Sequence, residues 1–198
     1  IMLAGDGDLL PVSAMPVDGV FPTGTAAFEK RSLALEIPIF DPAVCIDCGR
    51  CAAVCPHAAI RMKVYEPTAL DGAPDGFKTK SFRSKDAAGL SMTIQVAPDD
   101  CTGCGVCVDV CPAKSKEAVR HKAINMAPAA DHREVERPMW DFFLSIPELD
   151  RDLLGHDTVK GAQALQPLFE FSGACLGCGE TPYIKLVTQL FGDRMVVA

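Results

Sequence analysis

The sequence predicts an α+β fold built on an internal duplication, and three observations predict it. A run of four cysteines with one fixed spacing occurs twice, at Cys45–Cys55 and Cys101–Cys111, and a proline follows each run. Short apolar segments of strand type flank the runs. From Leu168 onward the pattern changes to strand, loop and helix. With 198 residues, 48% of them hydrophobic and 23% charged, the chain can bury a core and is not a disordered polymer. That length allows one ordinary domain, or a small domain with part of another.

Charge and hydropathy remove whole classes of function. The chain carries 19 Lys+Arg against 26 Asp+Glu, a formal charge of -7, which argues against a general nucleic-acid binder. No apolar run approaches the ~20 residues of a membrane span. The start, Ile1-Met2-Leu3-Ala4, is too short and uncharged for a signal peptide, so a cytoplasmic location is expected.

The cysteines carry most of the information. The first run reads Cys45-Ile-Asp-Cys48-Gly-Arg-Cys51-Ala-Ala-Val-Cys55-Pro56. The second reads Cys101-Thr-Gly-Cys104-Gly-Val-Cys107-Val-Asp-Val-Cys111-Pro112. Disulfides suit small secreted chains without a core, and cysteines this close bridge poorly. Structural zinc takes four ligands, usually as two separated Cys-x-x-Cys pairs, and three cysteines in succession overfill one pair. Two [4Fe–4S] clusters remain. Three cysteines on a tight loop wrap three corners of a cubane. Gly49 and Gly103 or Gly105 relieve crowding and let backbone N–H groups approach the sulfurs. The fourth cysteine is expected at the start of a helical turn. In two-cluster ferredoxins it ligates the other cluster. Cys45, Cys48, Cys51 and Cys111 are thereby assigned to one cluster, and Cys101, Cys104, Cys107 and Cys55 to the second. Ile46, Val54, Ile60, Val106 and Val110 are expected to form a dry shell around the sulfurs. Such burial disfavours added negative charge and points to low-potential electron transfer.

Along the chain, residues 1–37 read as a connector from a preceding domain, with Pro16 to Thr25 rich in Gly and Pro. Residues 38–125 form the ferredoxin-like domain. Leu33, Leu35, Ile37 and Ile39 read as an edge strand leading into the first run. Ile60 to Val64 and Met92 to Val96 read as strands, with Asp71-Gly72 and Asp75-Gly76 as turns between them. An insertion over about 62–98 is expected to be an arm packed against another part of a larger protein. Residues 126–198 are linker and the start of a further domain. Arg137 to Leu144 reads as a docked helix or hinge, with Trp140 in the core. Leu168-Phe169-Glu170-Phe171 reads as a short strand. A helix opens at Glu180-Thr181-Pro182, shows Tyr183, Val187, Leu190 and Phe191 on one face, and ends at Gly192. Met195 to Ala198 reads as the start of another strand, unfinished as in a fragment. His57 reads as a residue of the cluster shell rather than a proton relay. Lys114, Lys116, Arg120 and Lys122 form a basic stretch that either meets an acidic partner or solvates a helix.

The last cysteine pair, Cys175-Leu-Gly-Cys178-Gly-Glu180, suits a redox dithiol, zinc or half of a cluster site. Four stretches together resemble one family. These are Gly19 to Arg31, Cys51 to Arg61, Cys111 to Ala118 continuing to Asn125-Met126, and Phe171-Ser-Gly-Ala-Cys-Leu-Gly-Cys-Gly-Glu-Thr-Pro-Tyr183. The chain resembles the pyruvate:ferredoxin (flavodoxin) oxidoreductases over nearly its whole length. The last stretch resembles the opening of their α/β thiamine-diphosphate domain.

The resemblance implies oxidative decarboxylation of pyruvate with coenzyme A to acetyl-CoA and carbon dioxide, by a protein that uses thiamine diphosphate, Mg2+ and three [4Fe–4S] clusters. It implies ferredoxin or flavodoxin as acceptor, and a homodimer. The two runs match the medial and distal clusters. Cys175 and Cys178 match two ligands of the cluster nearest the thiamine, and Glu180 matches a thiamine contact. Gly5-Asp6-Gly7 is not the magnesium motif, because the only Asn of the chain is Asn125. Hence no catalytic residue is expected here, and the chain alone is not expected to turn over pyruvate or complete the third cluster. The competing readings are a free-standing 2[4Fe–4S] electron carrier and an iron–sulfur subunit of another reductase.

Overall fold

A computed structural model of the chain describes residues 4–22, 24–85 and 87–196. Residues 4–22 and 24–35 run in turns, irregular stretches and short 3-10 segments and are largely exposed. Regular structure begins with strand β1 (Glu36–Phe40), shorter than the expected run from Leu33. Leu33 and Leu35 face solvent. β1 pairs antiparallel with β5 (Ile124–Pro128), from Glu36 opposite Pro128 to Phe40 opposite Ile124.

The segments expected as strands between the two runs are β2 (Ile60–Tyr65) and β4 (Ser91–Val96). They pair antiparallel in register, Ile60 opposite Val96 and Tyr65 opposite Ser91. The two-residue β3 (Lys80–Ser81) adds to the far edge of β4. Turns lie at Asp71-Gly72 and Asp75-Gly76, where both glycines take positive φ. The expected insertion is therefore a folded hairpin with a capping strand. It packs on this chain itself, with Phe77 edge-on to Phe142 at 4.9 Å between ring centroids.

Each cysteine run contributes one helical turn, α1 (Arg50–Ala53) and α2 (Val106–Asp109). Both turns precede the fourth cysteine rather than follow it. Pro56 and Pro112 bias Cys55 and Cys111 out of the helical region, which ends each turn early.

Helix α3 (Ala129–Ser145) follows β5 without a loop and packs across β1, β4 and β5. It begins well before the expected Arg137 and continues through Pro138. Trp140 is buried, stacks on Phe143 at 5.0 Å and meets Ala59 and Ala97 beneath. Burying a ring of that size gives roughly 2–3 kcal/mol, enough to offset much of the ~3 kcal/mol cost of an interior proline.

Two short helical segments follow, a 3-10 turn at Arg151–Leu153 and α4 (Val159–Ala162). Leu168 to Phe171 is not a strand. Its backbone groups go elsewhere: Leu168 N donates to Thr188 Oγ1 at 3.1 Å and Phe171 N donates to His57 O at 2.7 Å. Helix α5 (Thr181–Phe191) starts and stops as expected, with Pro182 in its first turn and Gly192 beyond its end. Of the strand expected at Met195–Ala198, Met195 and Val196 lie in no strand, and Val197 and Ala198 fall outside the described residues.

Helix α5 is turned opposite to ordinary amphipathic packing. Thr181, Lys185, Thr188 and Gln189 are buried, whereas Tyr183, Ile184, Val187 and Phe191 face outward, Tyr183 at 72% exposure. The four residues expected on one face are half-buried at best. The buried polar face is matched by hydrogen bonds, Gln163 Nε2 donating to Gln189 Oε1 at 3.0 Å and Gln189 Nε2 to Leu165 O at 2.8 Å. Among the described residues no helix is long and apolar enough to cross a membrane.

Candidate metal centre

The two cysteine runs fold alike, position by position. Each third residue takes positive φ, Asp47 at 62° and Gly103 at 71°. So does each fifth, Gly49 at 69° and Gly105 at 75°. These left-handed residues turn the chain tightly enough to carry three cysteines around one point. In each loop the first thiol receives a backbone N–H two residues on. Asp47 N donates to Cys45 Sγ and Gly103 N donates to Cys101 Sγ, both at 3.4 Å. At Gly49 and Gly103 a side chain would also collide with neighbours. A Cβ on Gly49 meets Gln163 Cβ at 3.3 Å, and one on Gly103 meets Glu36 O at 3.1 Å.

The loops bring the thiols together across the duplication. Cys45, Cys51, Cys107 and Cys111 are buried in the main core with Phe40, Ile60 and Ile124. A small cavity is bounded by Cys55, Cys101, Cys104 and Cys107, the four residues of the second assigned set. Burial pushes the Cys101 thiol up to about 12, and the nearby thiols of Cys55 and Cys104 add to the rise. Cys107 is pushed up by burial and then by Cys55, Cys101 and Cys104. Cys51 is pushed well up by burial, then by Cys107, Cys45, Cys48 and Cys111. Each set of four thus shares one electrostatic neighbourhood, and the two neighbourhoods meet at Cys51 and Cys107.

All ten cysteines are free thiols. Among the described residues no three His, Cys, Asp or Glu side chains converge tightly enough to hold a single ion. A cubane instead takes each thiolate at its own iron corner. Buried thiols become thiolates readily only beside strong positive charge, which iron supplies. The donor set of eight thiols on two matched loops, with N–H groups directed at sulfur, therefore fits two four-iron clusters.

The expected dry shell is only partly the observed one. Ile60 is buried, but Val54, Val106 and Val110 are half-buried and Ile46 is 51% exposed. On loops whose cysteines point inward, Ile46, Val54, Val106 and Val110 between them are left partly open to solvent. The shell comes from Ala52 within the first run and from Phe40, Ala113, Ala123 and Ile124 on the flanking segments.

Two lysines from those segments clamp the loops, and the sequence reading did not single them out. Asp47, 0% exposed, accepts Lys80 Nζ at 2.5 Å and Arg83 N at 3.1 Å. Lys80 Nζ also donates to Cys45 O at 2.6 Å. On the second loop Lys30 Nζ donates to Asp100 Oδ2 at 2.6 Å and lies 4.8 Å from the Phe171 ring centroid. Aligning the two runs shows Asp47 where the second has Gly103, and that mismatch was the available signal. Nothing local marks Lys80.

His57 is 3% exposed, and its Nδ1 lies 2.9 Å from Ser172 O and 3.1 Å from Ser172 Oγ. It ties the segment before Cys175 to the cluster loops. Lys114, Lys116 and Arg120 are exposed on a turn closed by a Lys114–Lys122 bridge, and Lys122 Nζ donates to Val108 O at 2.6 Å.

Cys175 is exposed and Cys178 half-buried just before α5. The N–H groups of Thr181 and Glu180 hold the Cys178 thiol below its ordinary value. Glu180 is exposed, and its carbonyl accepts Tyr183 N at 3.0 Å. Gly177 sits against the second loop: a Cβ there would lie 4.0 Å from Cys104 Cβ and 3.8 Å from Val106 Cγ2.

Comparison with known proteins agrees with this geometry. Residues 44–115 match a 4Fe-4S dicluster domain. Residues 1–34, which include Glu29-Lys30-Arg31, match the EKR family, a domain of unknown function. The dicluster match and the mixed helix and strand content make the central part a ferredoxin-like α+β unit for two [4Fe–4S] clusters. Over 197 residues, all of this chain, it is 61% identical to a pyruvate-flavodoxin oxidoreductase of Trichormus variabilis and 53% identical to a probable one of Escherichia coli, covering 17% of each. It is 54% identical over 192 residues, 97% of its length, to a pyruvate:ferredoxin oxidoreductase of Moorella thermoacetica, covering 16% of it. The chain thus spans about a sixth of the length of these curated relatives.

Proposed function

We propose that this chain, which matches pyruvate-flavodoxin and pyruvate:ferredoxin oxidoreductases along its length, is the electron-transfer segment of such an oxidoreductase. Cys45, Cys48, Cys51 and Cys111 hold one [4Fe–4S] cluster, and Cys101, Cys104, Cys107 and Cys55 hold the other. Bound there, the clusters supply one-electron carriers of low potential. The chain's own contribution is to set their surroundings. Its loops present N–H groups to sulfur, its core excludes water, and the Lys80–Asp47 and Lys30–Asp100 pairs fix the loops from outside.

Residues 126–198 carry the linker and the first part of a thiamine-diphosphate domain, with Glu180 as a cofactor contact. Thiamine diphosphate with Mg2+ supplies the decarboxylation chemistry in the whole protein, where pyruvate and coenzyme A yield acetyl-CoA and carbon dioxide. Cys175 and Cys178 are two ligands of a third cluster whose other ligands come from elsewhere in the longer protein. The closeness of Gly177 to Cys104 and Val106 supports the second loop as the neighbour of that site. A ferredoxin or flavodoxin takes the electrons, and the whole protein works as a homodimer.

The observation that carries the reading is the convergence of Cys55 from the first run on the cavity bounded by Cys101, Cys104 and Cys107. Its test is paramagnetic resonance of the anaerobically isolated, reduced protein. Two interacting [4Fe–4S] signals are expected. In Cys55→Ala, the signal of the second-loop cluster should be lost or altered while the first-loop signal persists. A well-folded, colourless, iron-free protein overturns the electron-transfer reading. Selective loss of the first-loop signal overturns the crossed ligation.

A further inference from the structure

Lys185 stands in the middle of α5 and is 2% exposed. Its ammonium donates to Ala52 O, to Ala53 O at 3.1 Å and to Cys55 O at 3.3 Å. Those three carbonyls belong to the short segment from Cys51 to Cys55, so the lysine seats on a stretch that carries one assigned ligand of each cluster. An ammonium has three N–H donors and all three find acceptors. Ala52 O and Cys55 O also accept backbone N–H groups, from Cys55 at 3.4 Å and from Ala58 at 3.5 Å, so the ammonium adds a donor to carbonyls at and just beyond the end of α1. Hydrogen bonding is complete, but charge is not. Among the described residues Lys185 makes no ion pair with a carboxylate, and the other buried lysine of the core, Lys63, does, with Glu148 at 2.8 Å. A buried cation is ordinarily paired with an anion. Burial pushes the Lys185 ammonium down to about 8, the sulfurs of Cys55 and Cys51, one from each set of four, act to hold its charge, and Arg61 opposes them.

We propose that Lys185 is the shared counter-charge of the two ferredoxin-type clusters, a positioning residue that raises both reduction potentials together. The inference rests on the cluster assignment proposed above. Net charge around a cluster is among the levers that set its potential. A cation held between the two sets stabilises an added electron on either. It also makes the seating of α5, which begins beside the Cys175–Cys178 loop, a condition for those potentials. The polar, inward face of α5 has its reason here: the helix docks through a charge rather than through an apolar stripe.

The test is a redox titration of the anaerobically isolated holoprotein followed by paramagnetic resonance, with iron and sulfide counted in each sample. Lys185→Gln keeps two N–H donors and removes the charge. Lys185→Arg keeps the charge. The expected result is a shift of both ferredoxin-type clusters to more negative potentials in Lys185→Gln at unchanged iron content, and near wild-type potentials in Lys185→Arg. Unchanged potentials in a fully loaded Lys185→Gln protein overturn the proposal, as does a shift confined to one cluster. If Lys185→Gln takes up no iron, Lys185→Arg decides. Full loading at wild-type potentials supports the counter-charge, and loss of iron there too overturns it in favour of shape alone. Wild-type protein without two clusters would instead sink the cluster assignment itself.

Discussion

Replacing Lys80 by Met removes the cation from a buried carboxylate. Asp47 is 0% exposed and accepts two hydrogen bonds, from Lys80 Nζ and Arg83 N. Without Lys80 its ammonium bond is lost, the backbone bond from Arg83 is kept, and the carboxylate stays where water cannot reach it. Breaking a buried pair from one side costs about 3–5 kcal/mol. The reverse change is milder. In Asp47→Gly the lysine, 12% exposed at its side chain, still holds Cys45 O. Glycine also suits the left-handed φ of 62° and recovers up to about 1 kcal/mol of backbone strain. The double variant should therefore lie within about 1–2 kcal/mol of wild type, so the two changes couple strongly. The assay is anaerobic urea unfolding followed by cluster absorbance. With a slope of about 2 kcal/mol/M, a loss of about 3 kcal/mol lowers the midpoint by about 1.5 M. A Lys80→Met midpoint equal to wild type, or a double variant as weak as Lys80→Met alone, would refute the claim that the insertion clamps the first loop through charge.

Two further predictions concern the same loops. Burial holds His57 below its ordinary value, partly opposed by the Ser172 carbonyl bond, so the ring is neutral in the folded chain. A depressed value contributes stability that is full above the unfolded pKa of about 6.5 and is lost as pH falls through the folded value. The protection of the Phe171 N–H against hydrogen exchange, corrected for the intrinsic pH dependence of amide exchange, should accordingly fall on mild acidification in wild type and stay flat in His57→Asn; equal pH dependence in both removes His57 from that role. Gly49→Ala places its Cβ against Gln163 and Val159 at a φ of 69°, whereas Gly105→Ala meets only open space at 75°. Gly105→Ala should cost about 1–2 kcal/mol of left-handed strain, and Gly49→Ala clearly more. Equal urea midpoints for the two variants would show that α4 does not press on the first loop.

What could be read from the chain was what repeats or alternates locally. The duplicated cysteine spacing announced the two matched loops, and the period-two apolar segments marked β2 and β4 almost to the residue. Pro182 and Gly192 bracketed α5. Helix α3 was half missed because its first turns, Ala129 to Glu136, are mostly polar and Pro138 looks like a breaker. The stretch is held through distant partners, the rings at 140 and 143 packed on Ala59 and Ala97 and Arg133 and Arg137 paired with Asp99. Leu168–Phe171 alternates like a strand but has no ladder to join, so its N–H groups turn to His57 and Thr188. The lysines at 30, 80 and 185 were unreadable for the same reason. Each earns its place through partners 33 to 133 positions away, and one lysine in a sequence looks like any other.

The mismatch between Asp47 and Gly103 makes the two halves of the duplication unequal grafts. Transplanting residues 101–111 into the place of 45–55 would preserve every sulfur and both tight bends. It would also strand the insertion's ammonium beside a glycine that offers it nothing. Copies with identical cysteine spacing have become non-interchangeable through what leans on them from outside, and an engineer exchanging them would have to move the leaning segments as well.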